Sequence, residues 1–196
     1  MNKSDIILAS ASPRRVELLQ QIEVKFEQCV ADIDETPRLG EAPGQFVCRL
    51  AEEKAQSVFE KSSKELPVLG SDTIVVVDEH ILGKPDDYQH AVDMLKLLSG
   101  RKHQVMTAVT LFSAEQQKTM MNTSEVRFMD LSQDLIDAYW QTGESVGKAG
   151  AYAVQGIAAQ FIIEIKGSYS SIMGLPLYEV RCLLEAFGID VLGNKK

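Results

Sequence analysis

The 196-residue chain is 45% hydrophobic and 24% charged, proportions that argue against a disordered chain or a coiled coil and suffice for one domain with a substantial core, residues 1–196. Its net charge of −8 excludes the broad basic footprint of a protein that binds polymeric nucleic acid, yet allows a small phosphorylated ligand where a few cations converge. Cys29, Cys48 and Cys182 are widely spaced and form no C-x-x-C, so neither a zinc ribbon nor a disulfide framework is supported.

In chain order, residues 5–10 read as a buried strand, whose apolar run before Ser10 is too short for a secretory core. Ser12 and Pro13 then predict a helix to about Ile22, with serine at the N-cap and proline at the first helical position. A second strand spans 24–30. The acidic stretch 31–43, broken by Pro37, Gly40 and Pro43, reads as a loop, and Val47, Leu50, Ala51, Ala55 and Val58 form the stripe of a helix from 44 to 60. Residues 67–77 (PVLGSDTIVVV) predict a central strand that turns near Asp78-Glu79 into Ile81-Leu82. A helix is expected over 86–98, a hairpin of strands over 103–112 and 118–128, and a short helix over 132–141. Residues 147–156 form a glycine-spaced loop, 160–166 a strand, and a last helix begins near Pro176. The irregular alternation, with hairpins, points to an α/β fold with a mixed sheet. No stretch approaches the roughly 18 apolar residues of a membrane span, so a cytoplasmic protein without a membrane partner is expected.

Six places carry residues suited to chemistry. Ser10, Arg14 and Arg15 cluster at a strand-to-helix junction, where free amides and the helix dipole favour an anion; exposed arginines on a capped helix are the bland alternative. The pair Asp34-Glu35 lies in the acidic loop, where solvation alone would explain it. Lys54 falls on the inward stripe of its helix, either snorkelling to the rim of the core or facing a phosphate. Asp72, followed by Thr73, heads the apolar run 74–77; a carboxylate there is costly unless paired, hydrogen-bonded or metal-bound, which gives Asp72 the strongest functional prior. Lys84 sits in the turn Gly83-Lys84-Pro85, and Gln155 ends the glycine-spaced GKAGAYAVQG segment, offering a planar donor and acceptor. The sequence lacks a Walker A loop, a G-x-G-x-x-G, a G-x-S-x-G elbow and any histidine pair at metal spacing. Gly167–Ser171 (GSYSS) therefore reads as loop.

Taken in order, LASASPRR, DIDET, LAEEKA, GSDTIV, GKP, SGRKHQVMTAV, KAGAYAVQG and GSYSSIMGLP resemble the Maf family over residues 5 to 187. The resemblance implies a twisted mixed sheet flanked by helices, with a deep nucleotide-binding cleft, similar in outline to Ham1-like house-cleaning pyrophosphatases. It also implies hydrolysis of a nucleoside triphosphate to monophosphate and pyrophosphate, assisted by a divalent cation, Mg or Mn. On it, Asp72 corresponds to the general base, and Ser10, Arg14, Arg15, Lys54 and Lys84 to the holders of the triphosphate. Asp34-Glu35 corresponds to the loop that brings a carboxylate near the metal. Arg14, Thr73 and Gln155 match the dTTP/UTP branch, where the 7-methyl-GTP branch would have Trp, Gln and Glu. Ser71 departs from the usual alanine, and Asp34 from a frequent glutamate. Sequence leaves open whether Asp72 is base or metal ligand, and which of Asp34 and Glu35 acts. Two other roles fit the resemblance: a regulatory protein that restrains septum formation, and a broad triphosphatase of modified pyrimidine nucleotides. A homodimer is compatible with either.

Overall fold

The computed structural model describes residues 4–63 and 65–191. The strands are β1 (Ile6–Ala9), β2 (Phe26–Cys29), β3 (Val68–Val77), β4 (His80–Leu82), β5 (Lys102–Phe112), β6 (Gln117–Phe128) and β7 (Ile162–Lys166). The helices are α1 (Pro13–Gln21), α2 (Pro43–Lys61), α3 (Tyr88–Leu98), α4 (Gln133–Gln141), α5 (Tyr169–Ile172) and α6 (Leu177–Ala186). The strands form one seven-stranded sheet of order β2-β1-β3-β5-β6-β7, with β4 paired to β3. β1 runs parallel to both β2 and β3, whereas β3–β4 and β6–β7 are antiparallel. The sheet is therefore mixed, as the irregular alternation of elements requires.

The chain divides into two compact units. One comprises residues 4–72, 107–122 and 174–191; the other comprises 73–106 and 123–173. In the first, Ile7, Ala9 and Val68 pack against Ala55, Val58 and Phe59 of α2. Phe59 meets Phe112 edge-on at 5.1 Å. β1 is buried at all four positions, as expected of a strand with parallel neighbours on both sides.

The core of the second unit gathers Val75 and Val77 with Leu95, Leu98, Val126, Phe128, Tyr139, Tyr152 and Phe161. Its rings meet edge-on: Phe128–Tyr152 at 4.8 Å, Tyr139–Phe161 at 5.1 Å and His103–Phe128 at 5.0 Å. Such pairs each add about 0.5–1.5 kcal/mol beyond the area they bury.

The structure differs from the pattern reading at several boundaries. Helix α3 starts at Tyr88 rather than Asp86, because the Asp87 carboxylate accepts the His90 amide at 2.8 Å and fixes the N-cap one residue earlier. The strand expected over 160–166 begins at Ile162, because residues 157–161 form a 3-10 helix ahead of it. GSYSS is not loop throughout: Ser168 caps the single turn of α5, its hydroxyl accepting the Ser171 amide at 3.2 Å.

Candidate functional site

In the first unit, α2 and β3 come together at Gly70. A Cβ there would overlap the Ala51 carbonyl and stand 2.7 Å from the Ala55 amide nitrogen, so only glycine lets the helix lie this close to the strand. The approach places Lys54, in the adjoining turn of α2, beside Asp72, two residues along β3. The Lys54 ammonium donates to Asp72 Oδ1 at 2.6 Å and lies 2.7 Å from Glu35 Oε1. Lys54 and Asp72 are both buried, 9% and 7% exposed. Lys54 therefore does not snorkel; it is the shared counter-charge of two carboxylates. That arrangement meets the condition for keeping a charged group out of water.

The acidic pair divides its labour. Glu35 reaches Lys54, whereas Asp34 turns back on its own loop, accepting the Thr36 amide at 2.9 Å and the Thr36 hydroxyl at 2.6 Å. Those two bonds hold the Asp34 carboxyl below the usual carboxylate range. The loop is fastened to α2 by Arg49, which binds both Glu41 oxygens at 2.6 and 2.7 Å and donates to the Thr36 carbonyl at 3.2 Å. The same guanidinium keeps the Glu41 carboxyl down at about 2.

Arg15 is held by main chain as well as by a side chain. Its Nε donates to the Gly174 carbonyl at 2.8 Å, and its Nη1 to the Ser71 carbonyl at 2.7 Å and to Ser10 Oγ at 3.2 Å. Burial lowers its proton affinity, an effect that Asp72 opposes, Arg14 reinforces and Glu35 opposes. Ser71, fully buried, also donates its hydroxyl to the Gly174 carbonyl at 3.0 Å. One unit thus brings together Ser10, Arg15, Glu35, Lys54 and Asp72, with half-buried Arg14 next in sequence. Sequence marked Ser71 only as a departure from the usual alanine and gave Gly174 no role, because each meets Arg15 through a carbonyl that every residue possesses.

Thr73, Lys84 and Gln155 belong to the second unit. Thr73 is half-buried in β3; Lys84 and Gln155 are exposed. The loops bearing the last two are tied together, since the Gly150 amide donates to the Gly83 carbonyl at 3.0 Å. No group of three or more His, Cys, Asp or Glu side chains suited to a metal occurs among the described residues. Glu35 and Asp72 both converge on the Lys54 ammonium. Asp34, engaged with Thr36, is not brought to that point.

The model of a family described as Maf-like protein matches residues 5–187. The chain belongs to the Maf family. Among its relatives, a protein of Pseudoalteromonas atlantica named dTTP/UTP pyrophosphatase is 50% identical, covering 94% of this chain and 97% of its own. Another of the same name, from Hahella chejuensis, is 48% identical, covering 95% of this chain and 94% of its own. Among solved structures, the Staphylococcus aureus Ham1 protein aligns with a TM-score of 0.51 at 14% identity, over 93% of this chain and 98% of that one. At that identity the likeness bears on fold, and it places the Maf chain with mixed α/β proteins of that outline. No helix among the described residues is long and apolar enough to cross a membrane.

Proposed function

We propose that this protein hydrolyses dTTP and UTP in the cytoplasm, at the bond between the α and β phosphates, releasing the nucleoside monophosphate and pyrophosphate. The observation that carries the reading is the Lys54 ammonium bridging Glu35 and Asp72 at 2.7 and 2.6 Å, within reach of the field of Arg15. Acidic and basic groups at this density are suited to a polyanion and its counter-ion. The names of the relatives supply the substrate class.

In this reading Arg14, Arg15, Lys54 and Lys84 neutralise charge on the triphosphate, most of all the charge that grows on the departing pyrophosphate. Ser10 adds a hydroxyl at the mouth of α1. Asp72 takes the proton of the water that attacks the α-phosphorus. The Gln155 amide pairs with the acceptor–donor–acceptor edge of uracil or thymine through two hydrogen bonds, while Arg14 and Thr73 contribute to the choice of base.

A divalent cation of the magnesium class fits the donor set, since it takes one or two carboxylates and fills its remaining positions with phosphate oxygens and water. Glu35 and Asp72 would hold it, and it would supply further neutralisation of the phosphates. Release of pyrophosphate should be measured over standard, methylated and halogenated nucleotides with Mg²⁺ or Mn²⁺. Monophosphate plus pyrophosphate from dTTP and UTP supports the reading. Diphosphate plus orthophosphate, or equal turnover of every nucleotide, overturns it.

A further inference from the structure

Glu144 is a carboxylate of the second unit that the proposed reaction leaves without a task, yet it is thoroughly engaged. Its Oε2 accepts the Ile157 amide at 2.6 Å; its Oε1 accepts the Ala158 amide at 3.1 Å and the Tyr139 hydroxyl at 2.8 Å. Ile157 and Ala158 open the 3-10 helix 157–161, whose first amides lack partners within the helix, and a carboxylate is the strongest acceptor available to them. Tyr139 is almost fully buried in the core, and burial together with the Glu144 carboxylate pushes its phenol well above the ordinary range. Glu144 thus ties a surface loop to a buried side chain of the core.

The loop so tied is the one that carries Gln155. Just before Gln155 the chain is anchored by buried Ala153 and Val154, and the Gly156 amide closes the turn on the Ala153 carbonyl at 3.1 Å. Just after it stands Gly156, where a Cβ would collide with the Glu144 carboxylate. That carboxylate occupies the space against the loop and grips the next two amides. Gln155 is exposed, so its side chain takes its direction from a backbone held on both sides.

We propose that Glu144 is a positioning residue for base selection: by clamping residues 157 and 158 to Tyr139, it fixes the backbone from which Gln155 presents its amide. The proposal rests on Gln155 reading the base. A two-bond pairing depends on placement within a few tenths of an ångström, so a loosened loop weakens the match to an imide edge far more than the hold on phosphates.

The test compares kcat/KM for UTP and CTP in the wild type and in Glu144→Ala, Glu144→Gln, Tyr139→Phe and Gln155→Ala, with melting temperatures to confirm folding. Glu144→Ala is expected to lower the UTP-to-CTP ratio about tenfold, mainly through KM for UTP, in the same direction as Gln155→Ala. Glu144→Gln, which keeps one acceptor oxygen, should fall between, and it carries the test if the alanine variant does not fold. If Gln155→Ala lowers the ratio and neither Glu144 variant does, or if activity on both nucleotides drops in proportion, the positioning role is wrong while base reading by Gln155 stands. If Gln155→Ala leaves the ratio unchanged, base reading by Gln155 fails and this inference fails with it.

Discussion

Replacing Asp72 by asparagine keeps the shape of the side chain and an oxygen facing Lys54, but removes the negative charge that would accept a proton. We expect turnover to fall about 10²–10⁴-fold with the fold retained, measured by pyrophosphate release alongside circular dichroism. Lys54→Met acts differently. It strips a 7%-exposed carboxylate of its cation, and leaving one member of a buried pair costs about 3–5 kcal/mol. Chemical denaturation should show that loss, and the double variant Lys54→Met, Asp72→Asn should recover part of it, since the buried charge is then gone and the Glu35 carboxylate, 44% exposed, can be solvated. In the other unit, His103 is 2% exposed, with Nε2 2.8 Å from the Tyr152 hydroxyl, and burial lowers its pKa to about 4. In the unfolded chain it titrates near 6.5, so between the two values the unfolded state binds more protons. Stability is then complete above about pH 6.5 and declines as pH falls towards 4, by roughly 3 kcal/mol from this group alone. His103→Gln should flatten the decline in denaturation curves taken from pH 7 to pH 4.

The contact of α2 with β3 has no slack at Gly70. Gly70→Ala must push the helix off the strand or distort the backbone, because the obstacles are the Ala51 carbonyl and the Ala55 amide rather than flexible side-chain ends. We expect a loss on the order of 1–3 kcal/mol and, because Lys54 moves with α2, a fall in activity larger than the drop in melting temperature explains. The loop 31–42 makes a complementary case. Arg49 of α2 fastens it through Glu41 and Thr36, and Glu35 is next to Thr36. Arg49→Ala should make this loop the first site of limited proteolysis and lower the rate several-fold without unfolding α2. Elements with a strong period were legible from sequence: β3 from its apolar run, α2 from its stripe, and both hairpins from their turns. What pattern could not show was set by single hydrogen bonds, such as the Asp87 cap that delays α3 and the Ser168 cap that makes α5 a helix. The candidate site was legible where charge stood in an apolar setting, as at Lys54 and Asp72. The choice of Glu35 over Asp34 at Lys54 was not, because it turns on which carboxylate the local turn at Thr36 consumes.

At the scale of the whole molecule, the Lys54 ammonium itself neutralises the carboxylates of Glu35 and Asp72. Excess chelator is therefore expected to stop turnover while leaving the melting temperature unchanged, in contrast to proteins whose metal is part of the fold. The first unit is assembled from three separate stretches of chain, and the second from two. Strands β3, β5 and β6 each begin in one unit and end in the other. Neither unit can thus be cut out as a continuous fragment. The Gly174 carbonyl that holds Arg15 lies 159 residues downstream of it. A ribosome therefore makes the carbonyl that aims the arginine only 159 residues after the arginine itself. During synthesis the first 72 residues can collapse around Ile7, Val58 and Val68, but Arg15 and Ser71 must wait for the segment after Met173. Turnover by a nascent chain should accordingly switch on abruptly once residues 174–191 clear the exit tunnel, rather than grow with length.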